Sequence, residues 1–273
     1  MSRTPSLEDK VCGTLLGLAC GDALGLAVEG MSRSAIEKRY GVVDRYRVLE
    51  DVGYVSDDTE QTALLLTCLL ENGDDLDRAI QSFRRALRGW FLRFPWGAGR
   101  ATLSACVRIT LGLTESGRPS AGNGSAMRAC ALALRFPDDT QRRIYFGKAV
   151  SRVTHGDPRA VEGALYVAEL TAQCLHSDPR VDRQRCVGRA MAVVRDARLK
   201  NALQRASAAS DDERRYRELP RSGYVVDTVC AATAEFLRNG ADPRGALLSA
   251  VNAGGDTDSI AAILGAWLGA LHG

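Results

Sequence analysis

Residues 252–269 read NAGGDTDSIAAILGAWLG. From Ile260 onward the run is Ala, Ile, Leu, Gly and Trp, residues that belong in a core. Its doorway nevertheless carries two aspartates, Asp256 and Asp258. A carboxylate belongs in such surroundings only when something neutralises it.

Outward from this stretch, helical periodicity dominates and strand alternation is nearly absent. The pattern predicts helices at about 7–28, 57–72, 75–94, 99–113, 124–135, 139–154, 157–177, 180–207, 223–239, 242–253 and 256–272. Gly73 and Asn239-Gly240 punctuate helix ends as expected. Leu76, Ile80, Phe83, Leu87 and Trp90 form an amphipathic stripe. No linker and no repeat divides the chain, so a single all-α domain is expected. The charged segment Arg195 to Arg221 is expected at the surface or in a mobile connection. Gly13, Gly17, Gly21 and Gly25 recur every fourth residue, with Gly265 and Gly269 in the last helix. Each costs roughly 0.5–1 kcal/mol in a helix interior. Close packing of two helices is the simplest return on that cost.

The chain has 273 residues, 45% hydrophobic and 25% charged, with 36 basic and 33 acidic residues giving +3. That balance argues against nucleic acid or a membrane surface as the main partner. The first ten residues carry no apolar region of a signal peptide, and the run Ile260 to Leu271 is too short to span a bilayer. Eight scattered cysteines without a CxxC pair read as buried free thiols of a reducing cytoplasm rather than a disulfide framework. A cytoplasmic protein is expected.

A second stretch, VSDDTEQTALLLTCLL at 55–70, repeats the opening pattern. Ser56, Asp57, Asp58 and Thr59 precede an apolar helix. Capping explains one such residue per helix start, and Asp57 with Glu60 resembles a capping box. Two acids plus hydroxyls at each start fit a second job. If the two starts meet, Asp57, Asp58, Asp256 and Asp258 repel one another unless cations intervene, and two divalent ions would balance four charges. An all-oxygen set suits Mg²⁺, Mn²⁺ or Ca²⁺. None of the three histidines lies near either stretch, which argues against zinc.

The pairing of SDDTEQTALL (56–65) with AGGDTDSIAAILGAWLGA (253–270) resembles the ADP-ribosylglycohydrolases. GTLLGLACGDALGLAVEG (13–30), GAGRATLSA (97–105), GNGSAMRA (122–129), VTHGDPRAVEGALYVAEL (153–170) and SGYVVDTVCAA (222–232) follow in the family's order. The resemblance implies one orthogonal multi-helix domain over residues 1–273, with a binuclear Mg²⁺ or Mn²⁺ centre between helix N-termini. Ser56, Asp57 and Asp58 match one half of the metal site. Asp256, Asp258 and Ser259 match the other.

The resemblance further implies hydrolysis at the anomeric carbon of the distal ribose, releasing ADP-ribose from a modified side chain, arginine first, or from a small acceptor. Glu29 matches the family's active-site glutamate, a general acid/base. Asp22 reads as a structural hydrogen-bonder. Gly122, Asn123, Gly124 and Ser125 match the ADP-ribose loop; as bare sequence they are a turn and cap. Gly99, in a second wall at 95–99, and His155 are candidate ligand contacts, and Tyr224 is a candidate adenine platform. Some members carry an aspartate in the loop matching 95–99; this chain has none there. Two other readings stay open: a two-metal phosphoesterase acting on a nucleotide, and a non-catalytic ADP-ribose-binding protein.

Overall fold

The structure, a computed structural model, describes residues 4–49 and 52–273. Residues 1–3 of the expected domain, and 50–51, lie outside it. Among the described residues the regular elements are helices, with only isolated β-bridges between loops. In chain order they are α1 (Leu7–Gly25), α2 (Arg33–Tyr40), α3 (Asp57–Glu71), α4 (Leu76–Phe91), α5 (Arg100–Thr110), α6 (Cys130–Arg135) and α7 (Thr140–Arg152). There follow α8 (Pro158–Leu175), α9 (Arg183–Ala190), α10 (Ala197–Ala209), α11 (Glu213–Arg217), α12 (Val225–Asn239), α13 (Pro243–Asn252) and α14 (Thr257–His272).

Aspartate starts most of these helices. The side chains of Asp75, Asp139, Asp157, Asp182, Asp196 and Asp212 each accept a hydrogen bond from a backbone N–H in the first turn. Each satisfies a donor that the helix cannot. Pro158 and Pro243 occupy first-turn positions, where a missing N–H costs nothing.

The centre is built from α8, α12 and α14, whose residues are almost all buried. Trp267 packs edge-on against Tyr166 and Phe236, with ring centroids 6.1 and 5.8 Å away, and donates its indole N–H to the Val167 carbonyl. Against this centre lies α1. A Cβ on Gly17 would sit 2.2 Å from the Gly265 carbonyl oxygen, and one on Gly21 would sit 2.0 Å from that of Ala261. The two helices therefore touch backbone to backbone. Leu7–Val28 has the length and apolarity to cross a membrane, but its glycine face is seated on α14.

Several boundaries differ from those the sequence predicts. The helix expected at 180–207 is two, because Met191–Val193 forms a 3-10 turn, Val194 is extended and Asp196 caps a new start. Glu162 accepts from the Arg195 and Asp196 amides, so the break leaves neither donor unpaired. The segment 195–221 does lie at the surface, with most of its residues exposed, but it carries α10 and α11 and buries Leu199, Leu203, Ala206 and Tyr216, so it is packed rather than a loose connection. The expected helix 124–135 begins only at Cys130. The Asp57–Glu60 capping box does not form: Ser56 is the cap, and Glu60 accepts from the Trp90 indole instead. Of the eight free thiols six are buried, while Cys12 is exposed and Cys20 half-buried.

Candidate active site

Asp22, fully buried in the last turn of α1, accepts from the Ser56 amide at 3.0 Å, the Thr59 amide at 3.1 Å and the Thr59 hydroxyl. It ties the start of α3 to α1, the structural task read from the sequence. The start of α14 is tied to the same helix, since the Thr257 hydroxyl donates to the Gly25 carbonyl at 2.8 Å. The two acidic helix starts consequently meet. Ser56 and Ser259, one from each start, both donate to Oδ2 of Asp58, each at 3.2 Å.

After α1 the chain makes a 3-10 turn, Leu26–Val28, that delivers Glu29. Reciprocal backbone bonds, Gly30 N–H to Gly255 O at 2.8 Å and Gly255 N–H to Met31 O at 2.9 Å, bring this turn against the start of α14. Gly255 has φ +89°, and a Cβ there would lie 2.0 Å from the Arg221 carbonyl oxygen, so only glycine suits the position. One carboxylate oxygen each from Glu29, Asp256 and Asp258 then falls within 4.8 Å of the others. Asp256 is steadied by the Asn123 side-chain amide and its backbone N–H by the Arg221 carbonyl.

Burial is the largest influence on every one of these acids and raises each above its ordinary range; repulsion among them adds to the effect on Glu29, Asp57, Asp58 and Asp258. Asp57 reaches about 7, although the field of Arg128 opposes the rise. Asp58 Oδ1 and Asp258 Oδ1 are buried with no hydrogen-bond partner among the described residues. Unpartnered carboxylate oxygens of this kind are costly unless a cation meets them. The donors are all hard oxygens, so the residues fit a hard divalent cation of the Mg²⁺, Mn²⁺ or Ca²⁺ kind.

These acids line a cleft of about 270 Å³, a size suited to part of a small molecule. Asp57, Asp58, Asp256, Asp258, Ser259 and Glu29 all contribute to it. So do Gly99, Gly122, Asn123, Gly124 and His155, with Arg100, Thr102, Ser120, Met127 and Gly223, which the sequence did not single out. Three expected contacts do not line it. Ser56 is turned into the cap of α3, and Ser125 donates to the Ala160 carbonyl. Tyr224 lies beneath the Arg159 guanidinium, 5.5 Å from ring centroid to carbon, and its hydroxyl accepts from Arg159. Its backbone still pairs with Gly122.

Behind the cleft lies Arg128, 1% exposed. It donates to Gln61 Oε1 at 2.6 Å, the Gly124 carbonyl at 2.7 Å and Thr154 Oγ1 at 2.7 Å, and its cation faces the Phe83 ring. Gln61 in turn donates to Asp57 Oδ2 at 2.7 Å.

An all-α fold that gathers carboxylates from two helix starts in a glycine-lined cleft defines the class. The sequence profile of the ADP-ribosylglycohydrolase family matches residues 3–273. The ADP-ribosyl-[dinitrogen reductase] glycohydrolase of Rhodospirillum rubrum is 28% identical over 98% of this chain and 87% of its own length. The ADP-ribosylarginine hydrolase Tri1 of Pseudomonas putida is 29% identical over 97% of this chain and 71% of its own. A solved ADP-ribosylglycohydrolase-related protein complex has TM-score 0.75 and 29% identity, covering 98% of this chain and 88% of that one. This chain belongs to the ADP-ribosylglycohydrolase family, whose members are hydrolases acting on glycosidic bonds.

Proposed function

We propose that this chain is a divalent-cation-dependent hydrolase that releases ADP-ribose from ADP-ribosylated arginine side chains. The observation that carries this reading is the make-up of the cleft. Its lining combines the carboxylates of the two helix starts with the Gly122–Gly124 turn and His155. A ligand that carries both a polyhydroxylated ring and a diphosphate matches that lining. Arginine is favoured because two relatives, from Pseudomonas putida and Serratia proteamaculans, are ADP-ribosylarginine hydrolases.

Asp57, Asp58, Asp256, Asp258 and Ser259, with Ser56 behind Asp58, are the residues that would hold two Mg²⁺ or Mn²⁺ ions. Bound there, such ions would orient ribose hydroxyls and make a water more acidic. Glu29 is assigned general acid–base work on the attacking water or on the leaving nitrogen. Its carboxyl, raised by burial and by the neighbouring Asp256, keeps a higher proton affinity than a solvated glutamate. Gly99, Gly122, Asn123, Gly124 and His155 receive the rest of ADP-ribose, supported from behind by Ser125 and Tyr224. Unpaired thiols suit the cytoplasm as its place of action.

The test is release of ADP-ribose from mono-ADP-ribosylated arginine and serine substrates with Mg²⁺, with Mn²⁺ and with EDTA. Metal-dependent release of intact ADP-ribose from the arginine substrate is expected. Ribose phosphate as product would replace the reading with a phosphoesterase. Binding of ADP-ribose without release from either substrate would replace it with a binding protein or a different acceptor.

A further inference from the structure

Arg128 belongs to no assigned part of the site, yet it joins the two walls of the cleft. A guanidinium only donates, which fixes the sense of every hydrogen bond it makes. Gln61 must present its oxygen to Arg128, so its NH₂ group is the one facing Asp57. At Thr154, Oγ1 must accept from Arg128. Thr154 is wholly buried, and the remaining neighbour of its hydroxyl is His155 Nδ1, 2.8 Å away. The Thr154 proton is satisfied only if Nδ1 accepts it, and stranding a buried hydroxyl proton is costly. A neutral imidazole that accepts at Nδ1 carries its proton at Nε2.

We propose that Arg128 is a positioning residue which, through the Thr154 hydroxyl, fixes His155 as an Nε2–H donor directed at the Gly122–Gly124 turn. The ring lies against that turn: a Cβ at Gly122 would be 3.4 Å from Nε2, and one at Gly124 would be 3.2 Å from it. Nε2 has no hydrogen-bond partner among the described residues, while His155 lines the cleft. Burial and the nearby Arg128 charge push the imidazole down to about 3, so the ring stays neutral. The site thus offers a fixed neutral donor to an acceptor oxygen, and the diphosphate of ADP-ribose supplies one. That last assignment rests on the proposed function; the tautomer does not.

The experiment is nitrogen-15 NMR of the ligand-free full chain labelled at its three histidines, near neutral pH. His155 is expected to show a pyridine-type Nδ1 and a pyrrole-type Nε2. Thr154→Ser retains a hydroxyl and should keep that pattern. Thr154→Val removes the hydroxyl at nearly constant shape and should give intermediate shifts from exchange between tautomers. Arg128→Lys, if it folds, should also lose the single pattern, because one ammonium cannot span the three acceptors. A pyrrole-type Nδ1 in the wild type, or an unchanged pattern in Thr154→Val, would overturn the proposal. Calorimetry with ADP-ribose is the separate arm: Thr154→Val should weaken binding about tenfold, one hydrogen bond's worth. Absence of binding by the wild type would remove the proposed ligand and leave the tautomer result standing.

Discussion

Gly25 and Asp258 meet without any side chain between them: a Cβ on Gly25 would lie 2.4 Å from the Asp258 amide nitrogen and 2.5 Å from its Cα. The glycine stripe of α1 therefore ends on a carboxylate-bearing residue of the site. Gly25→Ala must push the start of α14 away, at a cost of about 1–3 kcal/mol for overpacking. Gly13→Ala strains the same helix pair near the Gly269 carbonyl, remote from the acids. Thermal melts should show both variants destabilised, whereas cation titration should show Gly25→Ala alone losing affinity. Equal affinity in the two would separate the stripe from the site.

Carboxylates crowded by burial and by one another are a liability whenever no cation is bound. Asp58→Asn is expected to raise the melting temperature of EDTA-treated protein, because it removes a fully buried charge facing Asp258. The same variant should lose the stabilisation that Mg²⁺ or Mn²⁺ gives the wild type, about 2.7 kcal/mol at a hundredfold excess over Kd. Asp57→Ala and Asp256→Ala should abolish turnover. A metal-independent melting temperature in the wild type would count against cation binding at these residues.

Glu29 stands within reach of Asp256 and Asp258, so two roles compete for it, ligand and proton carrier. As a proton carrier, Glu29→Gln should lower kcat about 10²–10⁴-fold with little change in cation affinity. Titration of Mn²⁺ followed by electron paramagnetic resonance distinguishes the roles. A parallel loss of Mn²⁺ binding would make Glu29 a ligand.

Away from the cleft, Glu235 is fully buried and accepts from Tyr216, Asn239 and Ser249. Burial pushes its carboxyl from an ordinary 4.5 up to about 7. Across that window the folded state holds a proton that the unfolded chain releases, so this group's contribution to stability is full below it and falls as pH rises. The slope is at most about 1.4 kcal/mol per pH unit. Glu235→Gln should flatten it. Urea midpoints at about pH 5 and about pH 8 measure the difference, and parallel profiles would show that Glu235 does not titrate there.

Much of this was legible because helix physics is local. The apolar stripes, the aspartate caps and the glycines spaced by four all announce themselves within a few turns. The break at Met191–Val193 does not, since the apolar face continues through it and the residue that makes it tolerable, Glu162, lies 33 and 34 positions from the amides it accepts. The meeting of the Asp57 and Asp256 helix starts is likewise invisible in spacing; it depends on Asp22 and Gly25 holding both to α1. Arg128 was overlooked inside GNGSAMRA because nothing local distinguishes a wholly buried arginine from a solvated one. Ser56, Ser125 and Tyr224 lie in segments that reach the cleft, while their side chains bond to Asp58, the Ala160 carbonyl and Arg159, partners that no local pattern announces.

The bond from Thr257 to Gly25 spans 232 positions, and the acids it helps to place come from opposite ends of the sequence. During synthesis α1 emerges more than two hundred residues before α14, the helix that covers its glycine face. The carboxylate cluster therefore cannot assemble until α14 has been made. Contacts of such separation are costly to close and slow to form. A chain cut before α14 holds no partly built version of this cluster, whose two halves come together only when α14 is present.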